Sequence, residues 1–141
     1  MDWNKIRKLS SRQWLLLGKA MVVLLVIKAS LRFLSFNQFK KAYAYTLRVR
    51  QAGVYPKQYI ADAAWAVQTA AFRLPFALTC LPQALALKYI LRCDPDMPLH
   101  IGVQTAAPQG FEAHAWVEKD GHIVIGAWPE ETNYRPIWVW Q

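Results

Sequence analysis

The 141-residue chain is short of charge, of acid and of cysteine. Two thiols, Cys80 and Cys93, are too few for a disulfide scaffold. No pair of His or Cys has the spacing of metal ligands, so zinc is not expected. There is no Gly-rich phosphate loop and no G-x-S-x-G, and no cofactor is implied. Internal repeats and low-complexity stretches are also missing. Charged residues make up only 18%, which leaves apolar surface for a partner or a membrane. What the chain does have is apolar bulk: 55% hydrophobic residues, 13% aromatics and seven Trp. That composition excludes a disordered tail and suits one domain of ordinary size.

The net charge of +8 is unevenly placed. Residues 1–50 hold eleven Lys and Arg against one acid, Asp2, whereas residues 51–141 hold six against eight. A basic apolar arm (1–50) thus precedes a nearly neutral body (51–141). The arm belongs to no familiar nucleic-acid reader, so no nucleic-acid partner is expected. A basic apolar segment fits an anionic membrane surface or an acidic peptide better.

Within the arm, Trp14–Ile27 is an apolar run interrupted by Lys19. It is shorter than the ~20 residues a spanning helix needs, and extension to Phe36 brings in Lys28 and Arg32. No convincing signal-peptide cleavage site follows. Ser10 and Ser11 before Arg12 and Gln13 make a capped helix start. Residues 13–36 are therefore open to three readings: a helix on the core or a partner, an interfacial helix, or a true span. The chain is expected to be cytoplasmic, and the arm is one candidate for a peripheral membrane contact.

Helical character continues over Phe33–Val49 and breaks at Gly53 and Pro56. Tyr59–Leu74 places Ile60, Ala64, Val67 and Ala71 on one face, and Pro75 ends it. A further helix starts at Cys80, with Thr79 at the cap position and Pro82 in the first turn. Leu99–Val103 reads as a strand and Gln104–Gly110 as a loop. Phe111–Lys119 and His122–Trp128 flank Asp120-Gly121, a strong hairpin signal. Tyr134–Trp140 is a last short strand. Helices first and a small antiparallel sheet after make an α+β fold.

Two residues have settings suited to chemistry. Cys80 opens a helix, where free N–H groups and the positive dipole end stabilise a thiolate, the nucleophile of Cys hydrolases. The alternative is a buried structural Cys. Cys93 sits at the opposite helix end, where the dipole opposes ionisation. His114 lies mid-strand between Ala113 and Ala115, small neighbours that leave the imidazole room. It is a base candidate or a satisfied core histidine. His100 and His122 lack comparable surroundings. The Trp residues read as core or as the wall of a groove for an extended peptide.

The stretches T-C-L-P-Q-A-L-A-L-x-x-x-L-R from Thr79, I-G-V from Ile101 and F-E-A-H-A-W-V-E-x-D-G from Phe111 resemble the transglutaminase-like B proteins of lasso-peptide biosynthesis, in their separate protease half. The likeness runs from Trp65 to Ile137. It implies a papain/transglutaminase-like Cys-His leader peptidase with Cys80 as nucleophile and His114 as general base. It also implies a ribosomally made precursor (leader) peptide as substrate, a small leader-recognition protein to deliver it, and a separate lasso cyclase. A non-catalytic scaffold binding the precursor or partners is the alternative.

The family's orienting Asp has no counterpart here. With Asp120-Gly121 as the turn, His114 faces Ala127 with Gly126 beside it, and neither side chain can accept a hydrogen bond. Asp120 is ~20 Å away along the strand. Glu112, Glu130, Glu131, Asn133 and a backbone carbonyl remain candidates for the third group, and a site without any third group is the other alternative.

Overall fold

The computed structural model describes residues 7–107, 110–128 and 132–141. Four helices precede four strands: α1 (Ser11–Phe33), α2 (Phe36–Thr46), α3 (Lys57–Arg73), α4 (Cys80–Ile90), β1 (Leu99–Ala107), β2 (Gly110–Lys119), β3 (His122–Ile125) and β4 (Arg135–Trp140). The sheet is open and antiparallel in the order β3-β2-β1-β4. The fold is α+β, as expected.

Helix α1 begins at Ser10, whose hydroxyl accepts from the Gln13 amide while the Gln13 side chain accepts from the Ser10 amide. Its inner face, with Leu16, Ala20, Leu24 and Ile27, is buried in the core shared with α3 and α4. Arg12 and Gln13 also donate to Asp62 on α3. Burial pushes the Asp62 carboxyl pKa up, but hydrogen bonds from Arg12, Gln13 and Gln58 outweigh this and hold it below its ordinary value. Residues 13–36 thus pack on the chain's own core by one face.

The expected unbroken helix from Phe33 is instead cut at Leu34 and Ser35. Ser35 and Gln38 form a second capping box, which starts α2 in a new direction. From α2, Tyr43 donates to the Leu85 carbonyl at 2.6 Å and meets Trp140 edge-on at 4.8 Å, and Phe36 meets Trp138 at 6.0 Å. These two Trp residues of β4 therefore pack a helix.

In α3, Ile60, Ala64, Val67 and Ala71 are all buried. Small residues along this face let α1 and α4 approach closely. The sheet follows the two-residue alternation of strands. Leu99, Ile101, Ala115, Val117 and Ile125 join the helical core. His100, Gly102, His114 and Trp116 lie on the other face, paired as His100 with Trp116 and Gly102 with His114. A Cβ on Gly102 would sit 2.7 Å from the Trp116 ring, so glycine admits the indole there. Strand β1 runs to Ala107, longer than the expected Leu99–Val103, because its pairing with β2 continues through Gln104 and Glu112.

Candidate active site

Cys80 is the first residue of α4, after Thr79 in extended backbone. The Thr79 side chain does not cap the helix, and no acid lies in its first turn. The opening amides therefore face the cysteine end without a competing carboxylate. Cys80 is half-buried and free of any disulfide. Cys93 lies ~20 Å further along, past the other end of the helix. Its carbonyl accepts from the Gly53 amide at 2.7 Å. Tyr55 lies against it, and the phenol is pushed up to about 12, by burial first and then by Cys93.

His114 is held from three sides. Its Nε2 lies 2.6 Å from the Gly126 carbonyl oxygen. A carbonyl can only accept, so Nε2 carries a proton, and in the neutral imidazole Nδ1 is then the nitrogen with the free lone pair. Tyr134 stacks on the imidazole at 4.9 Å, and Trp128 meets it edge-on at 5.6 Å. Trp116 lies 6.3 Å away and stacks on His100 at 5.2 Å. The Trp116 indole donates to Glu118 at 2.7 Å. These aromatic rings leave the imidazole half-buried, with Tyr134 stacked against it.

The Gly126 carbonyl is where it is because of a bulge. The hairpin turns at Asp120 and Gly121, both at positive φ, and pairs Lys119 with His122 as expected. One extra residue then enters β3, so that Val117 pairs with Ile125. The expected register, with His114 opposite Ala127, is corrected by this one-residue shift, and the strand ends at Ile125 instead of Trp128. Gly126 follows at φ +86°, and a Cβ there would lie 2.5 Å from the Ala115 carbonyl oxygen. The chain thus leaves the sheet with its carbonyl aimed at the imidazole.

Among the side chains weighed for the third position, Glu112 is committed elsewhere. It accepts from Gln104 at 2.7 Å and lies against the Tyr134 phenol. Burial first, and then Glu112, push that phenol above its ordinary value. Asn133 is exposed, and among the described residues no hydrogen bond links it to His114. Glu130 and Glu131 lie outside the described residues.

The sequence pattern assigns Tyr134 no role at the site and places it at the start of a strand, whereas β4 begins at Arg135. The Tyr134 ring covers His114, and its phenol lies within electrostatic reach of Cys80. Among the described residues no hydrogen bond joins the Cys80 sulfur to the imidazole, and no cluster of three or more His, Cys, Asp or Glu is placed to hold a metal ion.

Helices leading into a small antiparallel sheet, with a cysteine opening a helix and a histidine on a following strand, define a class that comparison identifies. Residues 23–139 match the Transglutaminase-like superfamily, and the chain belongs to that superfamily. The matched region begins inside α1 and ends within β4. Neither a curated protein nor a solved structure matches significantly.

Proposed function

We propose that this chain is a papain-like cysteine endopeptidase that removes the leader from a ribosomally made lasso-peptide precursor. The observation that carries the reading is the hydrogen bond from His114 Nε2–H to the Gly126 carbonyl. It fixes the tautomer whose Nδ1 lone pair can take a proton from a thiol, the task a carboxylate partner performs in other triads. Membership of the superfamily and the position of Cys80 at a helix start support the same reading.

In this mechanism His114 Nδ1 takes the thiol proton, and the Cys80 sulfur attacks the scissile carbonyl carbon. The tetrahedral oxyanion is stabilised by amides at the start of α4, including that of Cys80. His114 then returns the proton to the leaving amine as the C–N bond breaks. Water, deprotonated by the same imidazole, hydrolyses the thioester and frees the thiol. A small leader-recognition protein delivers the precursor, and a lasso cyclase closes the released core peptide.

The test uses the full chain with precursor and leader-recognition protein, following cleavage by mass spectrometry. Cys80→Ala and His114→Ala each abolish leader removal with an unchanged circular dichroism spectrum, whereas Cys93→Ser retains it. Cleavage at the parental rate by either of the first two variants overturns the assignment. No cleavage by the parental chain, with equally slow labelling of both thiols by iodoacetamide, assigns it instead as a binding scaffold.

A further inference from the structure

The outer face of α1 is unlike the rest of the surface. Leu15, Val22, Val26 and Phe33 recur on one side of the helix and are 75%, 60%, 58% and 82% exposed. They form a ridge ~27 Å long. No Asp or Glu occurs between Asp2 and Asp62, while twelve Lys and Arg do. Some of these cations are committed within the fold. Arg12 pairs with Asp62, Lys28 donates to the Ala77 carbonyl, and Lys40 lies over the Trp138 ring. Lys19 within the ridge, Arg32 beside it and Lys41 on α2 have no acidic partner among the described residues.

We propose that this ridge seats the protein on an anionic lipid surface, with α1 lying in the plane of the interface. Exposed aliphatic and aromatic side chains would enter the acyl boundary while Lys19 and Arg32 extend to the headgroups. The helix is long and apolar enough to cross a bilayer by length and composition. Its inner face, however, is built into the core through Leu16, Ala20, Leu24 and Ile27, so crossing would require the fold to open. A second copy is a poor occupant, because a twofold contact would set the unpaired cations of one protomer against their equivalents. An extended acidic peptide finds no backbone partners on the ridge, since the amides and carbonyls inside a helix are paired internally.

The proposal stands apart from the peptidase reading and is tested without activity. Full-length protein is sedimented with phosphatidylcholine vesicles with and without phosphatidylglycerol. It is expected to partition to the anionic vesicles and to be released by salt. Lys19→Gln and Arg32→Gln each lower partitioning about fivefold. Leu15→Ser with Phe33→Ser lowers it by at least about tenfold, with an unchanged melting temperature because both side chains are exposed. Equal partitioning to neutral and anionic vesicles, or no effect of these substitutions, overturns the proposal. A dimer in solution that Leu15→Ser with Phe33→Ser dissolves also overturns it, and assigns the ridge to a second copy.

Discussion

Gly126→Ala separates two costs that the structure places at one residue. The backbone has φ +86°, where an L side chain costs ~1–2 kcal/mol. The new Cβ would also lie 2.5 Å from the Ala115 carbonyl oxygen and 2.9 Å from the Trp116 Cβ. Relieving such an overlap in a packed strand costs a further ~1–3 kcal/mol. The total of ~2–5 kcal/mol corresponds to a fall in melting temperature of roughly 7–17 °C for a domain of this size. Gly121 supplies the control. It has φ +76° with nothing within 4 Å of a Cβ, so Gly121→Ala pays the backbone cost alone. Urea unfolding of the two variants therefore isolates the steric part. The displaced carbonyl should also release His114, seen by nitrogen NMR as loss of the protonated Nε2 tautomer. If Gly126→Ala is no less stable than Gly121→Ala, or leaves the His114 tautomer unchanged, the reasoning about this bulge fails.

Lys88 is buried with the Met97 carbonyl as its hydrogen-bond acceptor, and burial pulls its pKa down to about 8. Between that value and its ordinary 10.5 the unfolded chain holds more protons, so stability should rise with pH across this window. Lys88→Met should remove the rise and add roughly 1–3 kcal/mol at neutral pH; urea melts across the alkaline range that still climb in the variant would refute this. Lys119 reaches the fully buried Asp94 carboxylate at 2.9 Å, and Lys119→Met should cost about 1–3 kcal/mol by stranding that charge. A loss under ~0.5 kcal/mol in urea unfolding would show that water reaches Asp94 instead.

Much of the fold was legible because its punctuation is local. Ser10, Pro75, Thr79 and Asp120-Gly121 mark element ends by chemistry that acts over three or four residues, and the elements begin and end near them. The Ser35–Gln38 box that divides α1 from α2 uses the same chemistry, but the apolar periodicity runs across it and masks it. What could not be read was non-local or a matter of one residue. Placement of β4 beside β1 depends on Tyr43 and Phe36 meeting Trp140 and Trp138, contacts between distant stretches of chain. The bulge in β3 shifts the register by one position and leaves no signature in side-chain pattern. It also decides what His114 meets. The sequence leaves a backbone carbonyl among the candidates for the third group without saying which one, and the bulge makes it that of Gly126. Tyr134 approaches His114 through the return of the chain after β3, which period-two alternation does not encode.

An acceptor on the main chain has a different vulnerability from one on a carboxylate. Systematic truncation to alanine interrogates side chains, and at Gly126 it would add atoms instead of removing the oxygen that His114 contacts. Over many generations the same hydrogen bond is insulated from the substitutions that eliminate an Asp. It is guarded only by the demand that one residue keep no Cβ, so a search for a familiar acid in chains of this kind can pass over an imidazole that already has its anchor.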